Sequence, residues 1–219
     1  MRSIVLLSGG LDSTVSLAHA VQETEVAMCL TFDYGQRAAA KEIKAANAIA
    51  GFYNLKQKVV ELPFLAEITG TALVHKDRTL PEPDAEDLDD PEKSSRTAAS
   101  VWVPNRNGVF VNIAAAFCEA YGCGIVVTGF NREEARTFAD NSRDFVNAVN
   151  ASLSFSTLNG VKVVSYTQRL DKVDIVKMGR RLKVPFHLLW SCYQGNEEIC
   201  GCCESCRRYA RALEAAGIG

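Results

Sequence analysis

Two groups of residues carry most of the chemistry open to this chain. The first is Ser8-Gly9-Gly10-Leu11-Asp12-Ser13-Thr14, set between the apolar run Ile4-Val5-Leu6-Leu7 and a helical pattern that begins at Thr14-Val15-Ser16-Leu17. Two glycines at the end of a strand let the backbone curl until successive N–H groups face one point. The helix that follows adds its own unpaired N–H groups and the positive end of its dipole. Such a turn binds phosphate, and it lacks the lysine that a Walker A loop requires. An ordinary strand-to-helix turn capped by Ser8 or Asp12 is the alternative.

The second group is Cys192, Cys200, Cys203 and Cys206. The last three are spaced Cys-x-x-Cys-x-x-Cys, and the first lies across a loop containing Gly195. Four thiolates at these spacings suit one tetrahedral zinc, and four protein ligands leave no open position, so the expected ion is structural. Cys202 is surplus, because only Cys203 keeps both two-residue spacings. Arg207 and Arg208, directly after the last ligand, are expected to offset the thiolate charge. Cys29, Cys118 and Cys123 lie within or beside apolar segments and read as core residues.

Both groups need a framework. Strand-like apolar runs fall at 3–7, 25–31, 56–61, 124–129 and 161–165, with helical patterns near 12–22, 37–52, 107–121, 143–155 and 171–182. This alternation predicts a parallel sheet covered on both faces. Ligands of such sheets bind beyond the carboxyl ends of the strands. The polar clusters Ser8–Ser13, Asp33–Arg37 and Thr128–Glu134 all follow strands and are expected to share one cleft. In 75–100, eight Asp and Glu residues gather with three prolines and few apolar side chains, so the stretch reads as a solvated loop or a lid unable to pack.

With 219 residues, 47% of them hydrophobic, the chain can fill one sizeable core. A net charge of −2 lacks the basic footprint of a protein that grips nucleic acid, so a small-molecule substrate is expected, with no direct nucleic acid partner. The first residues enter a strand without a signal-peptide pattern, no apolar run approaches membrane-spanning length, and five of eight cysteines crowd into 192–206. A soluble, cytoplasmic protein is the expectation, with the nucleotide-binding domain at 1–189 and a zinc-binding segment at 190–219.

The first loop resembles the pyrophosphate loop of enzymes that split ATP into AMP and pyrophosphate. Adding Thr31–Arg37, Val103-Pro104-Asn105-Arg106-Asn107-Gly108 and Trp190-Ser191-Cys192-Tyr193, in that order, the chain resembles the 7-cyano-7-deazaguanine synthase family over nearly its full length. The resemblance implies a Rossmann-like α/β fold of the adenine nucleotide alpha hydrolase type with a small C-terminal zinc segment. It implies ATP-dependent conversion of 7-carboxy-7-deazaguanine and ammonia to 7-cyano-7-deazaguanine through an amide, by a homodimer. On it, Ser8, Gly9, Gly10, Leu11, Asp12, Ser13 and Thr14, with Asp33 and Gly129, hold ATP, and Asp12 helps place magnesium. Arg106 and Lys172 act as phosphate or transition-state cations beside the catalytic Asp12 and Ser13. Arg37, Asn131, Asp140, Asn141 and Arg143 face the substrate. Lys172 could otherwise be an exposed first-turn lysine, and Arg37 a surface residue.

Ala139 stands where the family usually has proline, and Tyr166-Thr167-Gln168 replaces a proline-containing segment. The pocket wall is in doubt at both places. A tRNA-thiolating enzyme and a non-catalytic nucleotide-binding zinc module are the rival readings. The first would need cysteines free to carry sulfur, and zinc leaves only Cys202 near the site.

Overall fold

Ile4 and Val5 are neighbours in sequence and point to opposite faces of one strand, and that alternation organises the molecule. The structure, a computed structural model, describes residues 1–84 and 86–217. In chain order the elements are β1 (Arg2–Leu6), α1 (Leu11–Glu23), β2 (Glu25–Asp33), α2 (Ala39–Phe52), β3 (Gln57–Glu61), α3 (Pro63–Ile68), α4 (Pro91–Ser100), α5 (Arg106–Ala120), β4 (Ile125–Thr128), α6 (Arg143–Ser156), β5 (Lys162–Ser165), α7 (Lys172–Arg181) and α8 (Glu204–Ala215).

The strands form one sheet in the order β3-β2-β1-β4-β5, and every neighbouring pair is parallel. On one face Ile4, Leu30, Val126 and Val163 pack against Val111, Ala114 and Cys118 of α5 and Leu153 of α6. On the other, Val5, Cys29 and Val127 pack against Leu17 and Ala20 of α1 and Ala46 and Ile49 of α2. The period of two in the strands and 3.6 in the helices makes this double cover possible. Each fully buried Leu, Ile or Val contributes about 1.5–3 kcal/mol. Cys29, Cys118 and Cys123 are fully buried, as small core residues should be.

The order of strands places the site. The chain moves outward from β1 to β2 and β3, then returns to pair β4 with the other side of β1. At this switch point the connections after β1 and β4 leave in opposite directions and open a crevice. Among the described residues, no helix is long and apolar enough to cross a membrane.

The expectation that 75–100 cannot pack is overturned. Leu80 and Leu88 are 2% and 4% exposed, and Ala98 is buried with them. Residues Glu86–Asp89 form a 3-10 turn, and α4 follows it, capped by Asp90, whose carboxylate accepts from the amides of Glu92 and Lys93 at 2.9 and 3.0 Å. Leu80, Leu88 and Ala98 fall on inward positions, and α8 supplies cations to the acids, with Arg211 meeting Asp89 at 2.8 Å. Few apolar side chains suffice when those of Leu80, Leu88 and Ala98 face inward. α3 and α8 also lie outside the helical patterns read from the sequence, and residues 218–219 of the expected 190–219 segment lie outside the described residues.

Candidate active site

The turn after β1 is shaped by close packing. Gly9 has φ +83, and a Cβ there would stand 2.9 Å from Ala45 Cβ and 3.0 Å from the backbone of Ala46 and Glu42. Gly129, at the end of β4, lies so close that a Cβ would meet Ser13 N at 2.7 Å. Only glycine fits either place. Neither Ser8 nor Asp12 caps α1. Its N-cap is Gly10, with no side-chain hydrogen bond, so the helix start is left for a ligand. The loop's bonds from its own amides to serine hydroxyls are long: Ser8 N to Ser13 Oγ is 3.3 Å, and Gly10 N to Ser8 Oγ is 3.4 Å. Asp12 Oδ1 is buried without a hydrogen-bond partner, an atom suited to a bound cation or ligand donor.

A chain of charges leads away from this turn. Lys172 is no surface lysine: its side chain is 12% exposed, and Nζ donates to Asp12 Oδ2 and, at 2.6 Å, to Glu134 Oε1. Burial pushes the Asp12 carboxyl up to about 6 against the pull of the Lys172 ammonium. Burial also acts to raise Glu134, but Lys172 outweighs it and holds that carboxyl below the usual range. The amide of Lys172, at the first position of α7, donates to Glu133 Oε2 at 3.1 Å. The other oxygen of Glu133 accepts from Arg208 at 2.9 Å and Arg211 at 3.2 Å, and Arg208 also holds Glu204 at 2.9 Å. An electrostatic strut thus runs from the phosphate loop to α8.

The cysteine segment begins at the same place. Trp190 N donates to Gly9 O at 2.9 Å, so the backbone that leads to Cys192 is bonded to the loop itself. The sulfurs of Cys192, Cys200, Cys203 and Cys206 all lie within 4.8 Å of one another and could hold one metal ion, whereas Cys202 is outside the group. Gly195 has φ +70, and a Cβ there would stand 2.2 Å from Arg37 O, so glycine at this position answers a steric demand beyond flexibility. The expected pairing of Arg207 and Arg208 with the thiolates is corrected. Arg208 is spent on Glu133 and Glu204, and Arg207 bonds Cys202 O at 3.2 Å and faces Asp84 at 3.9 Å. Arg208 thus takes carboxylates at hydrogen-bond distance, where charge-assisted bonds are strong, and Arg207 a backbone carbonyl.

One cavity opens between these parts. Of the residues singled out in the sequence it is lined by Ser8, Gly10, Leu11, Asp12, Ser13, Arg106, Gly129, Asn141, Lys172 and Cys192. Gly9 and Thr14 stand behind the lining, Thr14 bonding Gly10 O through its hydroxyl at 2.7 Å. Asp33 uses Oδ1 to accept from Gly35 N at 3.0 Å. Arg37 is turned away, its guanidinium tied to the carbonyls of His75 and Arg78. Asn131 is buried beneath the loop and accepts from Glu134 N at 2.9 Å. Asp140 stays outside the lining, its carbonyl 3.5 Å from Asn107 Nδ2, and Arg143 is exposed at the start of α6.

The wall in doubt is tied from behind. Gln168 Nε2 donates to Asn141 O at 2.8 Å, and the fully buried Thr167 hydroxyl bonds Phe130 O at 2.8 Å. Arg208 also lines the cavity, as do Tyr34, Phe110, Glu134, Trp190, Tyr193 and Glu204, which had not been assigned a role from sequence. The adjacent Glu133-Glu134 pair and the aromatic pair around Cys192 were the available signals.

The family model described as queuosine biosynthesis protein QueC matches residues 2–217. A protein of Pelotomaculum thermopropionicum named 7-cyano-7-deazaguanine synthase is 63% identical over 218 residues, spanning 100% of this chain and 99% of that one. A Methanosarcina mazei protein of the same name is 47% identical over 221 residues, spanning 100% and 96%. Among solved structures, the U34-tRNA thiolase NcsA from Methanococcus maripaludis aligns with a TM-score of 0.50 over 98% of this chain and 64% of that chain. At 15% identity the likeness is one of fold.

Proposed function

The chain belongs to the queuosine biosynthesis protein QueC family, and we propose that it is an ATP-dependent ligase that converts 7-carboxy-7-deazaguanine and ammonia to 7-cyano-7-deazaguanine. The observation that carries this reading is the seating of Gly129 against Ser13, which opens a phosphate-binding turn directly into a cavity with an aromatic wall. A carboxylate is a poor electrophile because its leaving group is oxide, and ATP supplies AMP as the better one. Ammonia then yields the amide. Activation of the amide oxygen a second time lets its loss generate the C≡N bond, so one phosphate site can serve both dehydrations.

In this reading the turn Ser8–Ser13 and the start of α1 bind the phosphates by backbone N–H groups, with Thr14 and Gly129 keeping the turn in shape. Lys172 holds Asp12 in place and presents positive charge where phosphate charge develops. Asp33 lies at the β2 side of the nucleotide. The orphaned Asp12 Oδ1 supports a role in holding magnesium. Asn141, backed by Gln168, borders the substrate, and Asn131, Asp140 and Arg143 support that wall, Asn131 through Glu134. Arg37 acts indirectly, by anchoring 75–78.

The four clustered sulfurs support one structural zinc per chain, since a tetrahedron with bonds of about 2.3 Å has edges of about 3.8 Å. Residues 1–189 form the nucleotide-binding unit, and 190–217 form the metal segment packed on it. The family resemblance supports a cytoplasmic homodimer. The test is mass spectrometry of the product from carboxylate, ATP and ammonium. A nitrile is expected, and an amide end product or a thiolated species would overturn the assignment. Glutamine in ammonia-free buffer is expected to support no turnover.

A further inference from the structure

Three cations line the cavity, and they differ in how they are satisfied. Lys172 is shared by Asp12 and Glu134, and Arg208 by Glu133 and Glu204. Arg106 has no carboxylate within ion-pair distance among the described residues. The one hydrogen bond of its side chain there runs from Nη1 to the Tyr34 hydroxyl at 3.1 Å, and the carboxylates of Asp140 and Glu42 act on it only through space. A partly buried cation left without a counter-charge is costly unless an anion arrives to pair with it.

The surroundings of Arg106 say which anion. Its guanidinium lies 5.6 Å from the Tyr34 ring centre. Phe32 and Phe110 stack at 4.1 Å, Tyr34 meets Phe110 at 5.7 Å, and Leu6 and Leu30 continue the wall. A flat, apolar-walled place with one cation suits a planar heteroaromatic ring bearing one negative group. Adenine carries no negative charge. Phosphates carry several, and the turn built for them is contacted by Lys172, not by Arg106.

We propose that Arg106 is the receptor for the carboxylate of the deazaguanine acid, and that it sets the preference for the acid over the neutral amide and nitrile. The proposal rests on the ligase reading above and names the role of one of its cations. It gives the cycle a direction in binding: the charged substrate is held by an ion pair, and that pair is lost once the carboxylate has become an amide. The neutral nitrile is released from a place that no longer grips it.

The test is titration calorimetry with saturating α,β-methylene-ATP, comparing 7-carboxy-7-deazaguanine with 7-amido-7-deazaguanine in the wild type, Arg106→Met and Arg106→Lys. The acid is expected to lose affinity by about thirtyfold or more in Arg106→Met. The amide should change by less than about threefold, and Arg106→Lys should recover part of the loss. Affinity for α,β-methylene-ATP, titrated separately, should be unchanged. Equal losses for acid and amide, or a loss confined to the nucleotide, would overturn the proposal. Should Arg106→Met fail to fold, the wild type decides by salt titration: acid affinity must fall with ionic strength while amide affinity stays flat. A wild type that binds neither compound and makes no nitrile would overturn the ligase assignment itself, and Arg106's role with it.

Discussion

The phosphate loop and the cysteine segment lie against each other, joined where Trp190 N meets Gly9 O, yet they keep their shape by opposite means. The loop has almost nothing of its own. It is wedged between α2 at Gly9 and the end of β4 at Gly129, on the central strand of a sheet covered on both faces. The cysteine segment has no strand beneath it, and its core is Cys192, Cys203 and Cys206 with Trp190, Tyr193 and Cys200 around them. One region borrows rigidity from the sheet; the other gathers four sulfurs that could hold a metal ion. Damage to the first should therefore remove activity and spare the fold, while damage to the second should remove stability and reach activity through the Trp190–Gly9 bond and the Glu133–Arg208 strut.

The largest effect is expected in the loop. Gly129→Ala drives a methyl into backbone that cannot yield, and Asp12→Ala and Ser13→Ala remove groups that line the cavity; each should cut pyrophosphate release by about a hundredfold or more. Metal content should not change. Measured pyrophosphate release at the wild-type rate in any of these variants would break the contrast.

Next come the cysteines. Serine at Cys192, Cys200, Cys203 or Cys206 should lower metal content and stability together, by about 3 kcal/mol or more, which in a chain of this size is roughly 6–12 °C in melting temperature. Cys202→Ser should stay within about 0.5 kcal/mol. Metal analysis and calorimetry of the five variants would show whether the register holds.

Arg208→Met probes the strut between the regions. Glu133 keeps Arg211, but Glu204 loses its partner, and we expect a loss of about 2 kcal/mol in stability with a tenfold fall in kcat. Metal content should be unaffected, and Arg208→Lys should restore part of kcat. A variant with unchanged kcat would mean that the two regions touch without coupling.

The last expectation concerns the nitrogen donor. In the proposed reaction only free ammonia can attack, and ammonium, like an amine side chain, stays protonated at neutral pH. At limiting total ammonium the rate should rise about tenfold per pH unit on the acid side of that equilibrium. A flat profile while ammonia is far from saturating would move the limiting step from the chemistry to release.

The alternation that predicted five strands and five helices was legible because each period reports which face of an element meets the core. Boundaries shifted by one or two residues, as β2 did in running on to Asp33. The acidic stretch 75–100 misled because composition averages over residues, while packing depends on where Leu80, Leu88 and Ala98 point. The α8 helix was hidden by the cysteines that precede it and by an interior built from ion pairs, with only Cys206 and Ala212 deeply buried beside Glu204.

Local chemistry is carried by adjacent residues, so the sequence alone pointed to a turn suited to phosphate, to four cysteines that could hold a metal ion and to the family to which the chain belongs. Spacing along the chain sets what a short segment can bind. It is silent about what a charge meets after folding. Only the tertiary structure decided that Lys172 is shared by two carboxylates, that Arg208 serves Glu133 rather than sulfur, that Arg37 points away from the cavity, and that Arg106 forms no ion pair with a carboxylate among the described residues. Those partners lie tens of residues apart in sequence, and Coulomb energy depends on distance in space.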